Sequence, residues 1–313
     1  MVVTVLMSVY DPPANMLDTA IASVLDQTFA DFEFLILDDG SSNERVRAQL
    51  DSWASTDGRV RLFHEPHRGV PATSNRGLAL ARGTYIARHD SDDWSEPHRL
   101  ARQVAYLNQH PEIALAGTDT WSHSSCGAPL WRLRLPHSPA EVARALLRGN
   151  PFVHGSTMFR REAALAIGGY REEFPCSSDY DFLWRLADAG GAVNLDEVLY
   201  HYRYTRGSIS AQRAADQART HRAAQLLAAS RRTGQAEDVR EALQTVEKET
   251  AGQSFRPALK QADHLMLAGD FSGAGRAYLR LLRSHPGSGL AWAKILRLAV
   301  FAAIPPAREV SFR

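Results

Sequence analysis

The order of elements at the start of the chain most restricts what it can fold into. Residues 2–9, VVTVLMSV, form a short apolar, β-branched run, the mark of a strand buried on both faces. From Asn15 to Gln27 the apolar residues Leu17, Ala20, Ile21, Val24 and Leu25 recur at helical spacing as one stripe. Residues 32–37, FEFLIL, read as a second buried strand, followed by a helix over about 43–53 and a third strand at 60–63. Strand, helix, strand, helix, strand is the βαβ pattern of a parallel sheet. Ligands in such sheets sit beyond the carboxyl ends of the strands. Tyr10-Asp11 and Asp38-Asp39 both stand at strand ends, so they should converge on one crevice.

The alternation continues. A helix over about 72–81 ends at Gly83, read as its C-cap, and the strand 84–89 runs straight into Asp90-Ser91-Asp92-Asp93. Pro97 opens a helix to about Gln109, and 113–118 reads as a strand. Ser138-Pro139 is an N-cap and first-turn pair for a helix over 139–148. A short strand at 156–159 precedes a helix that stops at Gly168-Gly169, and 179–189 is helical up to Gly190-Gly191. Strands near Val193 and at 198–203 complete the sheet.

After about Ser210 the strand signal stops. Residues 211–302 are rich in Ala, Leu, Arg and Gln at helical periodicity, and four or five helices are expected, broken near 232–235, 252–254, 268–270 and 285–288. The segment 262–282, with Gly269-Asp270-Phe271 at its turn, resembles one tetratricopeptide-type hairpin, and an ordinary helical hairpin fits it as well. Two domains are therefore expected, a catalytic one over 1–210 and a helical region over 211–313. Charge divides along the same line: 16 Lys+Arg against 9 Asp+Glu from residue 211 onward, and 20 against 26 before it. A basic tail on an acidic half suits an anionic surface, or is simply a solvated helical face.

Composition excludes several classes. Two cysteines, Cys126 and Cys176, make neither a disulfide framework nor a structural zinc site and fit a reducing compartment. The N-terminus has no basic stretch before its apolar run, and it reads as a strand rather than a signal peptide. No run of about 18 apolar residues occurs, so no spanning helix is expected. Residues 290–304 combine apolar side chains with Trp292, Lys294 and Arg297, a pattern for a helix lying on a membrane or packed on the catalytic domain.

Three carboxylate motifs carry the chemistry. A carboxylate at Asp38-Asp39 can accept the N3–H of uracil, a donor that cytosine lacks, and Tyr10 offers a ring to stack on the base. Asp-Asp-Gly-Ser is also a turn signature. Asp90-Ser91-Asp92-Asp93 supplies hard oxygen ligands for Mg²⁺ or Mn²⁺, ions that bridge to diphosphate oxygens. Acids crowded at one strand end repel each other, and a cation offsets that repulsion. Asp179, in the first turn of its helix, is either a capping carboxylate or a general base for an attacking hydroxyl. His154-Gly155-Ser156 faces the acceptor or forms a plain loop.

Taken together, SVYDPP, AIASVLDQTFADFEFLILDDGSS, HRGVPATSNRGLALARGTYIARHDSDDW, VHGSTMFRR, GGYRE and SSDYDFLWRLADAG resemble the inverting family 2 glycosyltransferases of bacterial polysaccharide and glycolipid type, over about residues 2–210. The resemblance implies an α/β fold of the GT-A kind, a Rossmann-like mixed sheet flanked by helices, here with a C-terminal all-helical extension. It implies that Ser8, Tyr10 and Asp39 contact the nucleotide, with Asp38 and Asn75 beside them, and that Asp92, with Asp90, holds the metal. Asp90 and Asp93 would lie close to the sugar or the metal's water shell, and Asp179 would be the base. Asp93, His154, Gly155, Ser178 and Trp184 are the expected donor-sugar and acceptor contacts. The chain departs from the family at Asp11, where Asn is usual; at Ser74-Asn75, where Arg-Asn is frequent; and at Ser178-Asp179, where Glu-Asp is usual. The Gln-x-x-Arg-Trp motif and membrane helices of processive synthases are not seen, which points to transfer of a single sugar.

The expected reaction is transfer from a UDP-hexose to a hydroxyl of a saccharide or lipid-linked acceptor, with Mn²⁺ or Mg²⁺ as cofactor. No nucleic-acid partner is expected, and the expected location is the cytoplasm, with contact to the inner face of the membrane through the basic C-terminal helices. Two rivals stand beside this. A nucleotidyltransferase would want a basic, Gly-rich loop near the N-terminus, and residues 8–16, SVYDPPANM, hold no lysine, arginine or glycine. An inactive nucleotide-sugar-binding module with a helical docking region would have no need to keep Asp39, Asp92 and Asp179 together.

Overall fold

The structure, a computed structural model, describes residues 1–208, 212–250, 255–303 and 308–311. It divides into two compact units: residues 1–120 with 133–202 and 311–313, and residues 121–132 with 203–310.

The first unit is built on a mixed sheet. Strands β1 (Val3–Val9), β2 (Phe32–Asp38), β3 (Val60–His64) and β4 (Tyr85–Asp90) run parallel in the order β4-β1-β2-β3. Helices α1 (Ala14–Leu25), α2 (Glu44–Thr56) and α3 (Val70–Leu80) are the crossovers between them. On one face Val3, Val5, Met7 and Val9 pack with Leu17, Ala20, Ile21 and Val24 of α1 and with Leu100, Val104 and Leu107 of α4 (Arg99–Gln109). Each such side chain gains about 1.5–3 kcal/mol over leaving it in water. Past β4 the sheet turns antiparallel through β8 (Met158–Arg160) and β6 (Leu115–His123). A short β5 (Trp94–Ser95) pairs with β9 (Ala192–Arg203), which also pairs with β6. The hairpin strand β7 (Pro129–Arg134) follows β6, and β10 (Arg308–Ser311), a strand not expected after residue 210, lies on its other side at the edge of the sheet. Helices α5 (Pro139–Leu146), α6 (Arg161–Ala166) and α7 (Ser178–Gly190) complete this part of the chain. The capping box expected at Ser138-Pro139 is present, Ser138 accepting from Glu141 N–H and Glu141 reaching back.

The differences from expectation have local causes. Gly83 is not the C-cap of α3, which ends at Ala81; a Cβ at Gly83 would lie 2.4 Å from the Thr4 nitrogen, so glycine is there to let β1 pass. Two expected strands near 193 and 198–203 are one continuous strand, because Asp196 and Glu197 break the apolar run without breaking the backbone. The strand expected at 156–159 begins later, residues His154–Ser156 forming a 3₁₀ turn before β8.

The second unit holds five described helices, α8 (Ala214–Arg232), α9 (Val239–Thr250), α10 (Phe255–Leu267), α11 (Phe271–Ser284) and α12 (Gly289–Ala303). Leu130, from the hairpin, packs with Ala262, Met266, Ala274, Ala277, Tyr278 and Leu281. The α10–α11 turn uses Gly269 at φ +79° and Asp270, whose side chain accepts from Gly273 N–H at 2.9 Å. On α12, Lys294 pairs with Asp263 at 2.7 Å and Trp292 is exposed. The expected break at 252–254, Ile304 and the side chain of Arg297 lie outside the described residues. No described helix is long and apolar enough to cross a membrane.

Candidate active site

The register places the strand ends side by side, Val9 against Asp38, Ser8 against Asp90 and Asp38 against His64. Beyond β1, Tyr10 is 53% exposed and stacks on His67 with ring centroids 4.3 Å apart. Asp39 is buried beside them. Its carboxylate accepts from Arg68 N–H at 2.8 Å and Gly69 N–H at 2.9 Å, and its own N–H donates to Val9 O at 2.8 Å. His67 Nδ1 also lies 3.1 Å from Asp39 Oδ2; a carboxylate offers about four lone-pair positions, so these three contacts orient Asp39 without exhausting it. Tyr10, His67 and Asp39 thus make a flat ring platform with an acceptor at its edge. Asp38 turns away from it: one oxygen accepts from Ser41 N–H and the other meets His64 Nδ1 at 2.7 Å. Asp11, at φ +44°, accepts from the Ser42 and Asn43 N–H groups and from the Ser42 hydroxyl. Burial pushes its pKa up and these bonds outweigh that, leaving it below the usual value.

The second motif is the turn between β4 and β5, where Asp93 N–H reaches Asp90 O at 3.4 Å. Tyr200 on β9 ties the turn down, its hydroxyl donating to Asp93 Oδ2 at 2.9 Å and accepting from Asp90 N–H at 3.2 Å. Burial, then the charges of Asp93 and Asp90, hold the Tyr200 hydroxyl far above its ordinary pKa, so it stays a donor. Arg99 lies with its guanidinium carbon 4.9 Å from the Tyr200 ring centre and donates to Arg88 O at 2.8 Å and Ser95 Oγ at 3.0 Å. Burial raises the Asp90 pKa; Arg88, Arg99 and the Gly155 N–H pull against it without cancelling it. A Cβ at Gly155 would lie 2.0 Å from the Tyr200 hydroxyl and 2.9 Å from Asp90 Oδ2, so the residue there must be glycine. Its role is close approach to Asp90. His154 turns to Tyr170, Nε2 lying 2.9 Å from the hydroxyl, and burial drives its pKa well below the ordinary value, so the ring is neutral.

Asp179 opens α7. Ser177 before it sits at φ +52°, left-handed for a non-glycine residue; among the described residues only Asp11 and Ser177 do this, and each adjoins a site segment. Asn150 donates to Asp179 Oδ2 at 2.8 Å. Burial first, then the charge of Asp90, raises the Asp179 pKa over the opposing bonds. The helix is anchored from beneath: Asp181 is buried and accepts from Arg171 Nη1 at 2.8 Å and Arg185 Nε at 2.9 Å, while Arg185 also donates to Ile167 O and Gly169 O. Replacing Asp181 by alanine strands the Arg185 charge in the interior and should cost about 3–5 kcal/mol. Urea unfolding of the variant measures this; a loss under about 1 kcal/mol would show the network to be dispensable.

The structure therefore brings Ser8, Tyr10, Asp39, Asp90, Asp92, Asp93, His154, Gly155 and Asp179 to the carboxyl-end face, through β1, β2, β4, the 3₁₀ turn and α7. Others point elsewhere. Asn75 spends its amide on Tyr170 N–H, Tyr170 O and Glu172. Trp184 is buried against Tyr180, and Ser178 is buried in the first turn of α7. The residues not anticipated are His67, Arg88, Arg99, Asn150, Tyr170 and Tyr200. Only His67, two residues before the Gly69 turn, carried a local signal.

For a divalent cation, the Asp90–Asp93 turn supplies the hard oxygen donors such an ion takes. A separate group elsewhere in the first unit, Asp119, His137 and Asp196, has ligand atoms within 4.8 Å of one another. There Asp119 already accepts from Leu135 N–H at 2.9 Å and His137 Nε2 at 3.0 Å, and Arg134 lies 3.7 Å from Asp196. Asp119 and His137 are thus already hydrogen-bonded to each other.

The model of glycosyl transferase family 2 matches residues 4–168. The amylovoran biosynthesis glycosyltransferase AmsE of Erwinia amylovora is 30% identical over 203 residues, 64% of this chain and 75% of that protein. Among solved structures, the mannosyltransferase PcManGT from Pyrobaculum calidifontis, in complex with GDP-Man and Mn²⁺, aligns with a TM-score of 0.56 at 19% identity, covering 97% of this chain and 81% of that one. S. aureus TarS 1–349 in complex with UDP-GlcNAc aligns with a TM-score of 0.57 at 15% identity, covering 97% and 91%. These two likenesses are of fold, and the fold is that of GT-A glycosyltransferases.

Proposed function

The chain belongs to glycosyl transferase family 2, and we propose, from that premise, that it is an inverting enzyme that moves one hexose from a UDP-hexose to a hydroxyl of a saccharide or lipid-linked acceptor in bacterial polysaccharide synthesis. One observation carries this: Asp39, the Asp90–Asp93 turn and Asp179 come to one face of the sheet, and Asp90 is close enough to raise the Asp179 pKa. Tyr10 and His67 carry the base, and Asp39 accepts the uracil N–H. Asp92, with Asp90, would hold Mn²⁺ or Mg²⁺, and the ion would supply positive charge to offset the negative charge growing on the departing UDP. Asp179 takes the proton of the attacking hydroxyl, and its raised pKa makes it a better base than an ordinary carboxylate. Attack opposite the leaving group turns an α-linked donor into a β-linked product. The name of AmsE supports a saccharide acceptor, and the Mn²⁺ in PcManGT and UDP-GlcNAc in TarS support the metal and the donor class. Residues 1–210 are proposed as the catalytic domain, working in the cytoplasm, with the basic helices of 211–313 as its contact to the membrane face.

A panel of UDP-hexoses and GDP-mannose with Mn²⁺, read as nucleoside diphosphate release, tests this. Slow release from at least one UDP-hexose is expected. No release from any donor would leave a binding module, and release from GDP-mannose alone would overturn the base assignment.

A further inference from the structure

Four buried polar atoms without a hydrogen-bond partner fall in one place: Ser8 Oγ, Ser74 Oγ, Arg88 Nε and Arg88 Nη1. The β1–β4 register sets Leu6 against Arg88 and Ser8 against Asp90. Alternate residues of a strand share a face, so Leu6, Ser8, Arg88 and Asp90 look the same way. Helix α3 covers that face, since a Cβ at Gly77 would lie 2.4 Å from a Leu6 methyl. Ser74 is one turn before Gly77 on the same side of α3, towards the carboxyl ends of the strands, and so lies over Ser8 and Arg88. The Arg88 guanidinium faces Asp90, and its charge also reaches His154 of the 3₁₀ turn and Tyr170.

A guanidinium whose side chain is 2% exposed, with two nitrogens unpaired, is costly to bury, and a bound group would supply the partners. Its third nitrogen, Nη2, stops 3.8 Å short of Asp90 Oδ1, beyond a direct hydrogen bond. A hydroxyl suits that gap, because it accepts from the arginine and donates to the aspartate. A phosphate or carboxylate would satisfy Arg88 but has no proton to donate to Asp90. We propose that Arg88 and Asp90, with the Ser8 and Ser74 hydroxyls beside them, form the subsite that grips the donor's sugar, and that this sugar is a neutral hexose. This rests on the glycosyltransferase reading above and adds the residues that select the sugar.

Calorimetric titration of UDP, a UDP-hexose and a UDP-hexuronate, each with Mn²⁺, into the wild-type chain, Arg88→Lys and Ser74→Ala tests it. In Arg88→Lys, UDP should bind within about twofold of wild type while the UDP-hexose weakens by about tenfold or more, and Ser74→Ala should show a smaller loss confined to the UDP-hexose. The wild type should bind the hexose donor about tenfold tighter than the hexuronate. Equal losses for UDP and UDP-hexose would make Arg88 a diphosphate or folding residue and overturn the proposal. So would unchanged binding in both variants, or a preference for the hexuronate. If Arg88→Lys loses its cooperative melt, Ser74→Ala decides alone, and an unchanged UDP-hexose affinity there overturns the proposal. A wild type that binds UDP but no UDP-hexose defeats the subsite and leaves the nucleotide platform standing. One that binds neither defeats the glycosyltransferase reading itself.

Discussion

Asp179→Asn should lower the transfer rate by about 10²–10⁴-fold while leaving UDP affinity within about twofold of wild type. The substitution keeps the shape and an oxygen able to accept the Asn150 hydrogen bond, so α7 and its left-handed entry at Ser177 stay as they are. What disappears is the charged oxygen that, on the proposed mechanism, takes the acceptor's proton. Burial and the Asp90 charge raise the Asp179 pKa, and the base must be ionised to work. Activity should therefore rise with pH through that raised value, and begin to fail at a higher pH than an ordinary carboxylate would allow. The stability effect has the opposite sign. A carboxyl whose pKa is higher folded than unfolded stabilises the fold at acid pH, and that contribution is lost as pH rises through the folded value. At neutral pH the ionised group is a liability, so Asp179→Asn should melt no lower than wild type. Full transfer by the variant would remove Asp179 as the base. Loss of transfer together with a large fall in melting temperature would show that the carboxylate is structural.

The parallel half of the sheet was legible because β1 and β2 are buried on both faces and read as mostly apolar runs, with α1 and α2 as amphipathic stretches beside them. Pairing alone makes β5, and two residues carry no period. β7 begins at a proline and alternates Leu130, Arg132 and Arg134 with Trp131 and Leu133, a pattern too short to stand out. The site divides in the same way. Asp39, Asp92 and Asp179 belong to contiguous motifs. Tyr200 reaches Asp93 across 107 residues and Asn75 meets Tyr170 across 95, and no local spacing records such pairs. Arg88 was invisible for a different reason. An arginine inside a strand reads as an edge or surface position, and only the tertiary packing of α3 and the 3₁₀ turn shows that it is enclosed.

Removing the metal should be the other large effect. Chelation with EDTA should abolish diphosphate release, and added Mn²⁺ should restore it. Asp92→Ala should fall by about 10³-fold at saturating donor, since a cation on a departing diphosphate supplies several kcal/mol. The three acids of the turn should not behave alike. Asp93 is buried and holds the Tyr200 hydroxyl, so Asp93→Ala strips a partner from a buried donor and should lower stability as well as rate. Asp90 is 34% exposed at its side chain, takes the Gly155 N–H and faces Arg88, so Asp90→Asn should weaken both sugar and metal binding. Asp92, half-buried at the crest of the turn, should lose Mn²⁺ response with little change in melting temperature. Titrating Mn²⁺ against activity and melting temperature for the three variants separates these outcomes. An Asp92→Ala enzyme with the wild-type Mn²⁺ dependence would move the cation off this turn, and the Asp119–His137–Asp196 group would then be the first place to look for it.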